Sequence, residues 1–181
     1  DSNMRNTDSI GHVTGKSVFL DDIPEIKGSL HAVAFASSLA HGKLRKLNLS
    51  AALQVPGVIR ILTYEDIPGE NQVGGIILDE PLLAETEVHY IGQPIAVIIA
   101  ESAHIARQAR ALIHAEYELL PVITDPREAY EKGELLFPPR FFESGDVVSG
   151  WEECEYIFEG RAETGGQEHL YLETQGAYAY P

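Results

Sequence analysis

The spacing of apolar residues along the chain predicts the strands of a mixed domain. Ile95–Ala100 is a continuous apolar run rich in β-branched residues, which is typical of a central strand buried on both faces. Leu30–Ser37 and Val58–Leu62 are further apolar segments of strand length, and we expect the second to be buried as well. Ala115–Leu120 predicts another strand, which Pro121 ends.

Two helices are predicted from capping residues and from helical periodicity. Ser50 is placed to cap a short helix, Ala51–Gln54. Ser102 is placed to cap a longer one, because the apolar residues that follow it recur at helical spacing and form one stripe. Strands and helices mixed in this order, with short connections, indicate an α+β domain rather than a doubly wound sheet. The stripe consists of Ile105, Ala106, Ala109, Leu112 and Ile113.

The two ends of the chain carry weaker patterns. The first ten residues are polar, and we expect them to be frayed. Ser17–Asp22 predicts a strand near the N-terminus. Residues 138–145 contain two prolines and a glycine and indicate a linker. After it, Tyr156–Ala162 and His169–Tyr180 predict strands of a second unit, which we expect to be truncated.

Composition narrows the classes of function. Against 28 acidic residues the chain has 13 lysines and arginines, and the net charge of −15 excludes a nucleic-acid-binding surface. No apolar run approaches the ~20 residues of a membrane helix, so we expect no membrane contact. The single cysteine, Cys154, excludes internal disulfides, and we expect a cytoplasmic location. It also excludes an iron–sulfur cluster within this chain, because such clusters are generally held by several cysteines.

The seven histidines are candidate metal ligands whose spacing decides the question. No two are spaced as His-x-x-x-His, and none has a cysteine nearby. His104 and His114 share the region of the longer helix but stand ten positions apart. The sequence therefore predicts no metal centre. The full set is His12, His31, His41, His89, His104, His114 and His169.

A polar cluster follows a glycine pair near the end of the chain. Gln167, Glu168 and His169 come directly after Gly165 and Gly166, and an acid–base role for them is one interpretation. The favoured interpretation is structural: the glycines turn the chain, and the polar groups make backbone and interdomain hydrogen bonds. No catalytic residue is predicted in this chain. The paired carboxylates Asp21, Asp22 and Asp79, Glu80 are also expected to be structural.

The segment Pro68–Gly75 is a glycine-rich polar loop that precedes Ile76 and Ile77. It lacks the glycine spacing and the lysine of a phosphate-binding loop. Spacing alone favours a flexible surface loop.

The segment Gly165–Glu173, which reads GGQEHLYLE, resembles the GGQEHFYLE segment of xanthine dehydrogenases and aldehyde oxidases, the molybdenum hydroxylases. Gly42 stands where the family's Ala-His-Ala motif has alanine, and Leu170 replaces the phenylalanine, both within small or apolar sites. Other segments match the family in its own order. They are Val13–Gly15, Phe19–Pro24, Leu30–His31, Ser37–His41, Val55–Val58, Glu65–Asn71, Tyr90–Ile95 and Tyr117–Pro121.

The resemblance implies a fold and a division of the chain. It implies an α/β-hammerhead domain over residues 1–135. Residues 136–181 would hold a linker and the first strands of the molybdopterin-binding domain, truncated. The chain would thus be the N-terminal part of a molybdopterin-binding subunit.

The resemblance also implies a function for the intact enzyme. It implies a bacterial-type xanthine dehydrogenase that hydroxylates hypoxanthine or xanthine with oxygen derived from water. Alternatives are an aldehyde, carbon monoxide or nicotinate hydroxylase, or a non-catalytic assembly module. The implied cofactors are molybdenum with molybdopterin in the full subunit, and iron–sulfur clusters and FAD on other subunits or segments. The implied partners are the remainder of the molybdopterin subunit, the iron–sulfur and FAD subunits, and a purine substrate.

Three narrower expectations concern this chain itself. By resemblance, Ile76 and Ile77 line the channel through which substrate reaches the molybdenum. The chain alone is expected to bind no molybdenum or pterin, because it has no clustered ligands and lacks the family's pterin-contacting loops. The segment after Gly145 is expected to need a partner surface, which is either the first domain or a second copy in a homo-oligomer.

Overall fold

The computed structural model describes residues 7–169 and 175–180. One compact unit is Ile26–Leu135, and a second is drawn from the described parts of Asp1–Glu25 and Leu136–Pro181. The helices and strands are α1 (Thr7–Val13), β1 (His31–Ala36), β2 (Gly42–Asn48), α2 (Ser50–Leu53), β3 (Val58–Leu62), β4 (Glu87–Val88), β5 (Pro94–Ala100), α3 (Ala103–Arg110), β6 (His114–Leu119), α4 (Pro126–Lys132) and α5 (Val147–Glu152).

The first sheet of the unit Ile26–Leu135 has the order β1-β5-β3, with antiparallel pairing on both sides of β5. Strand β5 is central because its apolar run can be covered on both faces, as the sequence predicts. Its residues Ile95, Ala96, Ile98 and Ala100 are all buried. Strand β3 forms as predicted, but it lies at the edge of this sheet and buries Ile61 alone. The expectation of a wholly buried strand is wrong there.

The second sheet in the described residues has the order β4-β2-β6, again antiparallel. Gly42 is buried at the start of β2, opposite Val88 on one side and Leu119 on the other. A Cβ atom on Gly42 would lie 2.9 Å from the carbonyl oxygen of Glu118. Glycine therefore lets the β6 backbone approach β2 closely at this position.

Helix α3 packs against the first sheet through small residues. The hydroxyl of Ser102 accepts a hydrogen bond from the backbone N–H of Ile105 at 3.2 Å, so the predicted N-cap is confirmed. Ala106 and Ala109 are fully buried and belong to the same core cluster as Ile98. Short side chains on this face let the helix axis come close to the strands.

A second, smaller core cluster lies beside β4. Val88, Ala84 and Ile95 are buried there, and Leu44 and Tyr117 from the second sheet pack against them. Ile95 stands in β5 of the first sheet, so this cluster joins the two sheets of the unit into one core.

The N-terminal predictions are wrong within the described residues. Ser17–Asp22 is not a strand, because Leu20–Asp22 forms a 3₁₀ turn. The carboxylate of Asp22 accepts the backbone N–H of Phe19 at 3.0 Å, which favours a turn over an extended chain. The expected fraying of the first ten residues is contradicted from Thr7 onward by helix α1.

The C-terminal strand predictions are also wrong within the described residues. Tyr156–Ala162 has no strand pairing, and apolar alternation alone makes no strand without a partner for its backbone groups. Of His169–Tyr180, residues 170–174 lie outside the described part, and residues 175–180 form no strand. Helix α5 was not expected. Asp146 caps it, because its carboxylate accepts the backbone N–H of Ser149 at 3.1 Å.

A 3₁₀ turn after β3 yields a testable pH dependence. The Asp66 carboxylate accepts the backbone N–H of Thr63 at 2.9 Å, and Arg60 donates to it at 2.6 Å. The Thr63 bond, followed by the Arg60 bond, holds the pKa of Asp66 below its ordinary value. A depressed pKa stabilises the fold above the unfolded-state pKa, and this stabilisation is lost as pH falls through the folded pKa.

We therefore expect Asp66→Asn to lower the free energy of unfolding at neutral pH. The difference in unfolding free energy between wild type and variant should narrow once the pH falls below the pKa of an aspartate in the unfolded chain, about 3.9. Denaturant titrations of both proteins at several pH values measure this difference. Asp79→Asn is the matched control, since its carboxylate makes no hydrogen bond among the described residues. A gap that stays constant with pH would contradict the assignment.

No helix in the described residues is long and apolar enough to cross a lipid bilayer.

Candidate functional site

The loop between residues 71 and 83 is closed at its base by two amide side chains. Asn71 donates from Nδ2 to the carbonyl oxygen of Leu83 at 2.7 Å, and Leu83 N–H donates to Asn71 Oδ1 at 3.0 Å. Gln72 Oε1 accepts the backbone N–H groups of Gly74, at 2.7 Å, and Glu80, at 2.9 Å. The glycine-rich segment thus forms a closed loop with defined internal hydrogen bonds.

The tip of this loop is apolar and faces solvent. Ile76 is 95% exposed and Ile77 is 42% exposed, and Leu78 beside them is exposed too. A Cβ atom on Gly74 would lie only 2.0 Å from the carbonyl oxygen of Ile77, so the turn at the tip requires glycine. Both predicted channel residues therefore lie outside the two core clusters, on a surface that can contact an apolar molecule.

The segment Gly165–His169 is exposed and lies in no helix or strand. The carboxylate of Glu168 accepts the backbone N–H of His169 at 3.0 Å. This bond joins the carboxylate to the backbone and not to the imidazole, so it gives no support to an acid–base pair. The interdomain role of the segment stays a prediction.

The structure brings together a cluster of His41, Glu87 and His89 that the sequence did not reveal. In the β2–β4 pairing Gly42 lies opposite Val88 and Lys43 opposite Glu87. The same register continued by one residue sets His41 opposite His89, and their rings stack with centroids 5.8 Å apart. Glu87 and His89 are two apart on an extended chain, so both face away from the buried Val88.

The electrostatics of the cluster centre on His41. Its Nδ1 lies 2.6 Å from the carbonyl oxygen of Pro121, and its Nε2 lies 2.9 Å from Glu87 Oε1. The Pro121 carbonyl, followed by the Glu87 carboxylate, raises the pKa of His41 above its ordinary value. The backbone of His89 is fixed, because its N–H donates to Oε1 of the buried Gln93 at 2.7 Å.

The hydrogen bonding and exposure of the described residues bear on whether they could hold a large cofactor. Every buried side-chain nitrogen or oxygen among them has a hydrogen-bond partner within the chain. No buried polar side chain among these residues therefore needs a bound molecule as its hydrogen-bond partner. Side chains of the described residues 136–169 are all exposed. These residues do not by themselves fit a pterin.

The two sheets, with helix α3 against one of them, define an α+β protein. The sequence model described as "Aldehyde oxidase and xanthine dehydrogenase, a/b hammerhead domain" matches residues 14–121. The model described as "Molybdopterin cofactor-binding domain" matches residues 131–181. The chain therefore belongs to the aldehyde oxidase and xanthine dehydrogenase family, the molybdenum hydroxylases, which confirms the family and the fold class expected from the sequence.

Relatives support this assignment over nearly the whole chain. The xanthine dehydrogenase of Emericella nidulans is 38% identical over 175 residues, which cover 96% of this chain and 13% of that protein. Aldehyde oxidase 1 of Bos taurus is 38% identical over 174 residues, covering 95% of this chain and 13% of that protein. The chain thus spans 13% of the length of these relatives.

Solved structures share the fold. The aldehyde oxidoreductase of Desulfovibrio desulfuricans superposes with a TM-score of 0.62 and 26% identity, covering 68% of this chain and 15% of that one. A Cu,Mo-CO dehydrogenase superposes with a TM-score of 0.61 and 29% identity, covering 69% of this chain and 16% of that one.

Proposed function

We propose that this chain is the N-terminal part of the molybdenum-binding subunit of a xanthine dehydrogenase, a cytoplasmic enzyme of bacterial type. The intact enzyme would hydroxylate hypoxanthine or xanthine with oxygen derived from water. The observation that carries the proposal is the succession of two family matches, a hammerhead domain at residues 14–121 and a molybdopterin cofactor-binding domain at residues 131–181. The proposed division of the chain is a hammerhead domain over residues 1–135 and the start of the cofactor-binding domain over residues 136–181.

The relatives of this chain support two candidate classes of substrate. Relatives named xanthine dehydrogenase and aldehyde oxidase are equally identical to this chain, at 38%. An aldehyde, carbon monoxide or nicotinate hydroxylase is therefore the second candidate. Assaying the intact enzyme with xanthine, an aromatic aldehyde, carbon monoxide and nicotinate separates them. Turnover of the aldehyde with none of xanthine would overturn the purine assignment.

The proposed cofactor is molybdenum with molybdopterin, held mainly by residues outside this chain. Bound in the intact enzyme, this group supplies the redox chemistry by which a substrate carbon is hydroxylated. Iron–sulfur and FAD subunits or segments are the proposed electron-transfer partners, since Cys154 alone cannot hold a cluster. Gly165, Gly166, Gln167, Glu168 and His169 are proposed to make structural contacts between the domains.

Within this chain, Ile76 and Ile77 are proposed to line the substrate entrance. Their exposed side chains have no core packing to maintain, and the Asn71 and Gln72 hydrogen bonds hold the loop that carries them. Ligand pockets are lined mostly by apolar side chains, which suits a flat heterocycle. A loop closed at its base presents such side chains at low entropic cost.

Replacing both Ile76 and Ile77 by alanine in the intact enzyme should weaken turnover while leaving the fold intact. We expect kcat/KM for bulky heterocycles to fall by about tenfold or more, because even one lost methylene contact in an apolar pocket is worth about 1–3 kcal/mol of discrimination. Exposed residues change stability by about 0.5 kcal/mol or less, so the melting temperature should barely move. Steady-state kinetics and thermal melting measure the two effects.

The matched control replaces Ile59 and Leu119, two exposed apolar residues outside the loop, by alanine. This control should leave both kinetics and melting unchanged. A steep drop in melting temperature for the loop variant, with unchanged activity per folded enzyme, would show that both isoleucines are packed in the fold and would remove the channel assignment.

A further inference from the structure

We propose that His41, Glu87 and His89 bind a divalent transition-metal ion of the zinc class on the β4-β2-β6 sheet. This site is independent of the proposed oxidoreductase activity and of the molybdenum cofactor. The sequence predicts no metal centre because helical His-x-x-x-His spacing and nearby cysteines are missing. The three residues instead converge through strand pairing, which joins positions 46 and 48 residues apart.

The donor atoms have the separations that a small metal ion requires. His41 Nε2 and Glu87 Oε1 are 2.9 Å apart, and Glu87 Oε1 and His89 Nδ1 are 3.7 Å apart. All three donor atoms lie within 4.8 Å of one another. Zinc bonds of about 2.0–2.2 Å in a tetrahedron place neighbouring ligand atoms roughly 3.3–3.6 Å apart. The two measured separations lie on either side of that value.

The hydrogen bonding of His41 prepares its ring for metal binding. The Pro121 carbonyl can only accept, so Nδ1, at 2.6 Å, carries the hydrogen. In the neutral ring this leaves the lone pair on Nε2, the nitrogen that faces Glu87. Metal-binding histidines typically donate their other ring N–H to a carbonyl or carboxylate in this way, which fixes the tautomer and the orientation of the ring.

The scaffold holds the other two ligands on one face of the extended segment formed by β4 and the residue after it. Val88 is buried between Glu87 and His89, and Gln93 holds the His89 backbone from the interior. The side chains of His41, Glu87 and His89 are 31%, 32% and 55% exposed, so an ion could enter from solvent and keep water as its fourth ligand.

The donor set selects the class of ion. Two imidazoles with one carboxylate suit zinc, copper, nickel or iron(II), whereas calcium and magnesium take oxygen ligands. The alternative occupant is a proton: a charged His41 would bridge the Pro121 carbonyl and Glu87 with no metal. A titration with the metal alone distinguishes the two cases, because a metal site should bind the ion and a protonated His41 bridge should not.

The test titrates the 181-residue chain with zinc ion by calorimetry, with cobalt(II) absorption as a spectroscopic readout of tetrahedral nitrogen and oxygen ligation. We expect saturation at one equivalent. His89→Ala and Glu87→Gln should each weaken binding by about tenfold or more. His104→Ala and His114→Ala, which remove exposed histidines away from the cluster, should leave the affinity unchanged.

Circular dichroism keeps this test separate from loss of the fold, and His89→Ala is the leading variant because its side chain is the most exposed of the three. Absence of binding to the wild-type chain would overturn the proposal. So would zinc binding that the His89 and His104 variants weaken equally, because that is adventitious binding to surface histidines.

Discussion

Replacing Ile98 by alanine is expected to lower the free energy of unfolding by about 2–5 kcal/mol. Ile98 is fully buried at the centre of β5, opposite Val33 of β1 and Ile61 of β3. Its core cluster is rich in alanines, including Ala106 on helix α3. Such short side chains cannot swing into the space left by the missing atoms, so the cavity should persist and the loss should be large. Equilibrium unfolding in urea measures it.

The matched control is Ile59→Ala on the neighbouring strand β3, where the side chain is 55% exposed. We expect a change of about 0.5 kcal/mol, since an exposed isoleucine leaves no cavity when it is shortened. Equal losses from the two substitutions would contradict the assignment of β5 as the centre of the core. The slope of the unfolding curve should remain the same in both variants.

Elements with strong local signals could be predicted from the sequence. Strand β5 forms where the continuous apolar run stands, and helix α3 begins after Ser102 as its capping pattern indicates. In both cases the local preference and the tertiary environment agree, because the buried faces are the apolar ones. The burial of β3 was overestimated, since nothing in its own sequence shows that it lies at a sheet edge.

Elements that depend on weaker or distant signals were missed. The alternating segment Tyr156–Ala162 suggests a strand, yet a strand needs a partner that local sequence cannot supply. Helix α4 had usable signals: Asp125 caps it at 2.8 Å, Pro126 opens it, and Gly133 ends it with a φ of 73°. Helix α4 carries no apolar stripe, so hydrophobic periodicity alone does not predict it.

The candidate sites divide in the same way. Ile76 and Ile77 could be placed on an exposed loop because a glycine-rich segment precedes them in the sequence. The cluster of His41, Glu87 and His89 could not be predicted, because it depends on the register between β2 and β4. The spacing of two between Glu87 and His89 indicates that both lie on one face of an extended segment. His41, however, is 46 residues before Glu87, and nothing in the local sequence connects it with them.

The second large effect is expected at Gly57, where alanine should cost roughly 2–5 kcal/mol in two additive parts. Gly57 has a φ of 88°, and its carbonyl oxygen accepts the backbone N–H of Glu101 at 2.9 Å, which fixes this conformation beside β5. A left-handed backbone costs a non-glycine residue about 1–2 kcal/mol. A Cβ atom would also lie 2.7 Å from Ile105 Cδ1 and 3.2 Å from Glu101 Oε2. Overpacking typically costs about 1–3 kcal/mol.

Two further variants separate these parts by urea denaturation. Gly28 has a φ of 90° with no atom within 4 Å of its would-be Cβ, so Gly28→Ala should show the backbone cost alone. Ile105→Val removes the Cδ1 atom that the new methyl group would strike. In the Gly57→Ala background it should therefore cost less than it does in the wild type, giving a coupling energy of about 0.5–3 kcal/mol. Equal losses at Gly57 and Gly28, with no coupling to Ile105, would mean that α3 does not pack against this turn as the structure describes.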